Sequence, residues 1–331
     1  MHGWIILDKP LGLGSTQGVS AVKRALRQGG YSKAKVGHGG TLDPLATGVL
    51  PVAIGEATKL AGRMLDSDKV YDFTVRFGAE TDTLDLEGKV IAESDVRPTL
   101  AEIEAILPRF TGPIDQVPPA YSALKVDGER AYDLARAGEE VALKSRSVTV
   151  HSLQILPVYG EGDRPQAGGG GGPQTSRSRP APFVYASHCH LPVNGEELRQ
   201  VTLTAQVSKG TYIRSLARDI ARALATVGHV TKLRRIKAGP FDLSSAISLD
   251  KLDELAKGRT LEQHLLPLRA GLDDIPALSL DPDQAGALRQ GRVLAGIARD
   301  DGPYFATLGE TPVALVEVTS GEARVVRGFN L

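Results

Sequence analysis

The chain has 331 residues, of which 41% are hydrophobic and 24% charged, so it is not globally disordered and has the length for two domains. A single cysteine, Cys189, excludes an internal disulfide framework and favours a reducing compartment. The formal net charge is zero, which taken alone argues against a nucleic-acid partner.

The first elements are predicted to be a short strand, a loop and a helix. The apolar run Trp4 to Leu7 resembles neither a signal peptide nor a membrane span, and residues 3–8 are expected to form a buried strand. The following glycines do not have dinucleotide-binding spacing, so the stretch is interpreted as a loop. Ser15 or Thr16 can then cap a helix over 19–26.

Residues 37–51, GHGGTLDPLATGVLP, contain glycines at positions 37, 39, 40 and 48. Pro44 restricts its own backbone and that of Asp43, so a stiff loop presenting one carboxylate is predicted, with His38 five residues upstream. Such a loop is typical of a binding site, but an ordinary surface turn would have the same composition.

The next segment is predicted to contain a helix over 57–65 and a strand over 70–77. Alternation places Tyr71 on the apolar side of that strand, where a core tyrosine is the simpler interpretation. The stretch TDTLDLEG that follows has carboxylates at 82, 85 and 87 without calcium-loop spacing and is interpreted as a polar turn.

In the middle of the chain, a helix is predicted over 99–110 and a strand over 148–156. Between them, Lys125 and Arg130 alternate with aromatic residues, a pattern that suits a nucleic-acid backbone as well as a surface hairpin. Residues 157–182 contain five consecutive glycines and are expected to be a flexible insertion. His188, Cys189 and His190 are adjacent in a predicted strand, so a shared metal ion is not favoured.

Towards the C-terminus, a strand over 201–207 is predicted to lead through a turn at Gly210 into a helix. Arginines at 214, 218 and 222 lie on one face of that helix, where a solvated stripe is the usual explanation. Arg214 is the candidate site residue among them, because it lies in the first helical turn beside the bend at Gly210, close to the end of a strand. Residues 248–269 are predicted to be helical, and 276–331 to form a small β-rich domain.

Basic residues are concentrated in two parts of this chain. Residues 1–63 carry eight lysines and arginines against three acidic residues, and 199–240 carry nine against one. Such segregation gives a neutral protein a basic face suited to a polyanion, although solvated helix faces would also explain it.

Five blocks of sequence together resemble a known family. They are LDKP at 7–10, GHGGTLDPLATGVLP at 37–51, DSDKVY at 66–71, VPPAYSALKVDGERAY at 117–132 and SKGTYIRSLARD at 208–219. In this order and spacing they resemble the bacterial tRNA pseudouridine synthases that modify uridine 55 of the T loop. The resemblance covers roughly 1–250. The glycine-rich insertion, the GLGSTQG loop and a weakly matching C-terminal part depart from it.

This resemblance implies an α+β fold, in which a mixed, mainly antiparallel sheet with flanking helices is followed by a small β-rich domain of the PUA type. The implied domains are a catalytic domain over 1–250, a helical connector over 251–275 and an RNA-binding domain over 276–331. The implied reaction is isomerisation of uridine to its C-glycoside. It consumes neither water nor redox equivalents, so no cofactor and no metal are expected. The expected partner is the tRNA T stem-loop, bound by a monomer.

The resemblance also implies roles for individual residues. Asp43 matches the catalytic aspartate, Arg214 the arginine that pairs with it, and Tyr71 the active-site tyrosine, in place of a core role. His38 matches the histidine that fills the gap left by the flipped uridine. Further residues are expected to line the pocket or hold RNA: Lys9, Tyr212, Lys209, Lys125, Arg130 and Arg218.

Two alternative functions remain open from the sequence. One is a tRNA-folding chaperone with weak or vestigial catalysis, which the complete set Asp43, Tyr71 and Arg214 disfavours. The other is a guide-RNA-dependent pseudouridine synthase, which would need a surface for a scaffold partner.

Overall fold

The computed structural model describes residues 1–122, 124–126, 128–137, 143–156 and 197–331. The predicted insertion at 157–182 and the His188–Cys189–His190 stretch lie outside the described residues. The chain divides into two compact units, one formed by Met1–Ser67 with Ile236–Leu331 and the other by Asp68–Arg235.

The first unit begins with a strand and a helix, as predicted, followed by two further strands. The elements are β1 (Gly3–Lys9), α1 (Ser15–Gln28), β2 (Val36–His38), β3 (Ala46–Ile54), a 3-10 helix (Gly55–Leu60) and α2 (Ala61–Asp66). Strand β3 pairs antiparallel with both β1 and β2. Helix α1 begins four residues earlier than predicted, because the extended Gly14 is its N-cap and donates its N–H to Gln17 Oε1 at 2.7 Å.

The second unit contains an antiparallel sheet with helices on it. Its elements are β4 (Lys69–Phe77), β5 (Ala79–Thr81), β6 (Val90–Glu93), α3 (Leu100–Ile106), β7 (Gly112–Gln116), β8 (Lys125–Val126), β9 (Glu129–Arg130), α4 (Ala131–Arg136), β10 (Arg146–Ile155), β11 (Gln200–Val207), α5 (Ile213–Ala223) and β12 (Gly228–Ala238), whose last residues belong to the first unit. The strand order is β4-β11-β10-β7, antiparallel throughout.

The core of this second unit lies between that sheet and helix α5. As the alternation in β4 predicts, Phe73, Val75 and Phe77 are buried, and they pack in the same cluster as Leu216 and Ile220 of α5. The sequence predicts one apolar stripe on this helix, formed by Ile213, Leu216, Ile220, Leu224 and Val227. Its last two residues lie beyond the helix, because α5 ends at Ala223 and Ala225 adopts a positive φ of 55°.

The rest of the first unit contains a second, smaller sheet. The elements are β13 (Phe241–Asp242), β14 (Ala246–Ile247), α6 (Leu249–Lys257), β15 (Ala277–Ser279), α7 (Pro282–Arg289), β16 (Leu294–Ala295), β17 (Gly302–Leu308), β18 (Thr311–Thr319) and β19 (Glu322–Gly328). The smaller sheet has the order β15-β17-β18-β19-β16. Helix α6 is shorter than the helical segment predicted over 248–269, since two 3-10 helices follow it, Leu261–His264 and Leu268–Gly271.

The α+β fold class is therefore confirmed, including the β-rich C-terminal region. Helix α7 is an addition to the predicted elements, with Asp281 as its N-cap and Gln284 bonding back to it. The domain boundaries at 250 and 275 stay a prediction. No helix in the described part of the chain is long and apolar enough to span a membrane.

Candidate active site

The loop that carries Asp43 connects β2 to β3. His38 is the last residue of β2 and pairs with Val52. Asp43 is half-buried, and its carbonyl accepts a hydrogen bond from Ala46 N at 3.0 Å. The sheet therefore fixes both ends of the loop that presents the carboxylate.

Two side chains hold this loop on either side of Asp43. Ser15 Oγ donates to the Leu42 carbonyl at 2.9 Å and accepts from the Leu42 N–H at 2.8 Å. Lys9 is completely buried, and its ammonium donates to the carbonyls of Pro44 at 3.2 Å and Leu13 at 2.6 Å. Both neighbours of Asp43 are thus held by side chains of residues 9–15, which run from the end of β1 to the start of α1. Lys9 makes these bonds to main-chain oxygens.

Tyr71 lies on β4 opposite Ala205 and is half-buried against the core of the second unit. Its neighbour Asp72 accepts a hydrogen bond from Thr204 Oγ1 at 2.6 Å. Burial raises the pKa of Asp72 above its ordinary value, although this hydrogen bond and the charge of Arg234 oppose the rise.

Arg214 is buried in the first turn of α5, where Asp85 and two carbonyls surround it. Its Nη1 lies 3.3 Å from Asp85 Oδ2 and donates to the Thr83 carbonyl at 2.8 Å, and Nη2 donates to the Tyr121 carbonyl at 3.0 Å. Asp85 Oδ1 accepts from Thr83 Oγ1 at 2.6 Å and from Glu87 N at 3.0 Å. The stretch is a turn, as predicted, but within it Asp85 is a buried ion-pair partner.

The face of α5 that carries the arginines packs against protein groups. Arg218, with 12% of its side chain exposed, bonds Asp219 at 2.8 Å and the Val117 carbonyl at 3.1 Å. Arg222 pairs with the buried Glu80 at 2.8 Å. The expected solvated stripe is therefore wrong for Arg218, since periodicity identifies a face of the helix but not what covers it.

Gln116 and Arg146 hold Tyr212, the N-cap residue of α5. The completely buried Gln116 donates Nε2 to the Tyr212 carbonyl at 3.1 Å and accepts from the Tyr212 N–H at 2.8 Å. The Arg146 guanidinium carbon lies 4.7 Å from the centre of the Tyr212 ring. The sequence alone did not indicate Gln116, whereas Arg146 belongs to the basic residues of 125–146 that the family resemblance expects to hold RNA phosphates.

The remaining predicted RNA-binding residues are placed as follows. Lys209 is exposed in the turn before Tyr212. The backbone register of the β8–β9 pair places Lys125 opposite Arg130. Among the described residues, no three His, Cys, Asp or Glu side chains form a group that could hold a metal ion.

The predicted residues divide between the two units. His38, Asp43 and Lys9 belong to the first unit, and the other seven belong to the second. Helix α5 and the turn before it bring together Lys209, Tyr212, Arg214 and Arg218.

Comparison with known proteins assigns the family. The model of the TruB family pseudouridylate synthase N-terminal domain matches residues 27–165, and that of the tRNA pseudouridylate synthase B C-terminal domain matches 214–273. The chain is 63% identical to the tRNA pseudouridine synthase B of Novosphingobium aromaticivorans, covering 100% of this chain and 98% of that protein. It is 56% identical to that of Zymomonas mobilis, covering 100% and 96%.

Solved structures of two complexes contain chains with a similar fold. A chain in the structure of an H/ACA RNP bound to a substrate RNA containing 2′-deoxyuridine aligns with a TM-score of 0.66 at 23% identity, covering 99% of this chain and 85% of that one. A chain of a Cbf5–Nop10–Gar1 complex aligns with a TM-score of 0.65 at 24% identity, covering 99% and 84%. These likenesses concern the fold, whereas the relatives more than half identical over the full chain decide the family. The chain belongs to the TruB family of pseudouridylate synthases.

Proposed function

We propose that this protein is a tRNA pseudouridine synthase that converts uridine 55 of the T loop to pseudouridine. The observation that carries the proposal is the similarity over the entire chain to proteins named tRNA pseudouridine synthase B. In the reaction, the N1–C1′ bond breaks, the uracil rotates, and C5 bonds to C1′. C5 loses its proton and N1 gains one, so the product is an isomer of the substrate.

Asp43 is proposed to supply the ionised carboxylate of this reaction. The bonds from Ser15 to Leu42 and from Lys9 to Pro44 support the proposal, because they fix the backbone on both sides of the carboxylate before RNA binds.

Arg214 is proposed to stabilise negative charge at the reacting nucleotide. Its ion pair with Asp85 and its bonds to the Thr83 and Tyr121 carbonyls fix the guanidinium plane. The pairing of Arg214 with Asp43 that the family resemblance implies stays a prediction.

Tyr71 and His38 are proposed to handle the base. The Tyr71 ring stacks on the uracil and its hydroxyl takes the C5 proton, while His38 fills the space left by the flipped nucleotide. Lys209, Lys125 and Arg130 contribute positive charge towards RNA phosphates. We further propose that the enzyme acts as a cytoplasmic monomer on the T stem-loop, without cofactor or metal.

The test is a product analysis on unmodified tRNA. Incubation with the wild-type protein, followed by carbodiimide treatment and primer extension, is expected to give one stop that reports pseudouridine at position 55. The Asp43→Asn variant, which retains the shape of the side chain, is expected to give no stop. A wild-type protein that binds and refolds tRNA without producing the stop would instead support the chaperone alternative.

A further inference from the structure

Arg146 is held in a fixed position, and no carboxylate in the described part of the chain pairs with its charge. It is the first residue of β10 and pairs with Gln116 of β7, so the two residues that hold Tyr212 are neighbours across the sheet. Its Nη2 donates to the Gly210 carbonyl, and its guanidinium stacks on the Tyr212 ring. The position of this cation is therefore defined by the strand pairing with Gln116, the bond to the Gly210 carbonyl and the contact with the Tyr212 ring.

The charge of Arg146 is not neutralised by the described part of the protein. No carboxylate in that part forms an ion pair with Arg146, in contrast to Arg214, Arg218 and Arg222, each of which has one. The Nε atom is buried and has no hydrogen-bond partner. A half-buried guanidinium without a counter-ion is costly unless a ligand supplies the missing negative charge.

Gly210 shapes the turn whose carbonyl Arg146 binds. Its positive φ of 81° favours glycine, and the guanidinium carbon of Arg146 lies at van der Waals distance, 3.6 Å, from where a Cβ would stand. The neighbouring Lys209 is exposed, so a second cation lies one residue from the carbonyl that Arg146 binds. Arg146 and Lys209 therefore place two positive charges beside the turn that precedes α5.

We propose that Arg146 binds a backbone phosphate of the substrate RNA and that stacking on Tyr212 presents its remaining N–H groups to that phosphate. The inference rests on the proposed function, which supplies the RNA. A planar guanidinium that is already held in place binds a phosphate through paired hydrogen bonds with little loss of side-chain entropy. The site is thus specific for a phosphodiester and reads no base.

The test measures the affinity for unmodified tRNA as a function of salt concentration. All proteins carry Asp43→Asn, so no turnover occurs during the titration. We expect Arg146→Gln to weaken binding about tenfold at 0.1 M salt and to lower the slope of log K against log salt by about one. Arg146→Lys keeps the charge and is expected to keep most of the slope. Arg109→Gln, which removes an exposed arginine of the same unit, is the matched control and should change neither quantity.

An unchanged slope in Arg146→Gln would overturn the proposal, even if the affinity fell, because a purely structural role acts independently of salt. If Arg146→Gln fails to fold, Arg146→Met takes its place in the titration, because the methionine side chain retains the packing on Tyr212 and lacks the charge. A second experiment replaces each phosphate of the T stem-loop in turn with an uncharged methylphosphonate. At one position, the replacement should lower the affinity of the parent protein for the RNA and leave the affinity of the Arg146→Gln variant unchanged. Failure of the proposed function would appear separately, as absence of pseudouridine with the wild-type protein.

Discussion

The guanidinium of Arg214 and the carboxylate of Asp85 form an ion pair at 3.3 Å in which both side chains are more than nine-tenths buried. Asp85 uses its other oxygen to bind its own loop, so the pair connects the start of α5 to residues 83–87. The orientation of Arg214, which is proposed to act in catalysis, therefore depends on a carboxylate outside the five sequence blocks.

Asp85→Asn tests this dependence. The amide can still accept from Glu87 N but leaves the Arg214 charge without a counter-ion, so the free energy of unfolding should fall by about 3 kcal/mol. Displacement of Arg214 should also slow single-turnover tritium release from C5-tritiated uridine by about 100-fold. Glu87→Gln removes an exposed carboxylate from the same loop and should alter the stability by less than about 0.5 kcal/mol. Equal effects of the two substitutions would contradict the account.

Ser15→Ala tests the support of the Asp43 loop. It removes both hydrogen bonds to Leu42, leaving a buried N–H and carbonyl unpaired at a cost of about 1–3 kcal/mol in unfolding free energy. The rate of tritium release should fall about tenfold because the loop loses its fixed position. Ser20→Ala, on the exposed face of the same helix, deletes only a bond to the Thr16 carbonyl at 3.0 Å. Urea unfolding and single-turnover kinetics of the two variants should therefore differ clearly.

Two substitutions of Tyr71 separate its ring from its hydroxyl. Tyr71→Phe keeps the stacking surface and removes the proton acceptor, so tritium release should slow by about 100-fold or more while the Kd for tRNA stays within about twofold. Tyr71→Leu also loses stacking, worth about 1–3 kcal/mol per base, and should raise the Kd about tenfold. A Tyr71→Phe variant with full activity would exclude proton transfer through the hydroxyl.

Asp72 gives a prediction on pH. Because its pKa is raised in the folded protein, the native state binds this proton more tightly than the unfolded chain does. Stability should therefore fall as the pH rises from the ordinary aspartate pKa, about 3.9, through the raised value. Asp72→Asn can still accept from Thr204 and should remove this decrease, which urea unfolding across pH 4 to 7 measures. An unchanged pH profile would show that another group is responsible.

The sequence predicted those parts of the fold that follow from local patterns. Alternation in 70–77 located β4 and its buried face, and turn residues located the β-rich C-terminal region. The start of α1 was misplaced because Gly14, a residue without a side chain, serves as the N-cap. The helix predicted over 248–269 is longer than α6, because helical composition continues into two segments that form 3-10 helices.

The sequence predicts site residues only where the family resemblance assigns a role to a matching position. The sequence does not identify Asp85 and Gln116, because their importance comes from contacts with α5, a helix distant from them in sequence. It includes Arg146 among the basic residues of 125–146 but does not show its contact with Tyr212. A carboxylate in a Thr- and Asp-rich turn has the sequence signature of a solvated loop, and only packing shows that it is buried. Lys9 was expected to line the pocket, yet its ammonium binds main-chain carbonyls.

The central claim is that the Asp43 carboxylate carries out the isomerisation. The most direct measurement is single-turnover tritium release from tRNA carrying C5-tritiated uridine, with wild-type protein and Asp43→Asn at saturating enzyme. The account predicts complete release by the wild type, no detectable release by Asp43→Asn, and a tRNA Kd within about twofold between them, since the substitution removes the charge and keeps the shape. Tritium release by Asp43→Asn at the wild-type rate would contradict the account.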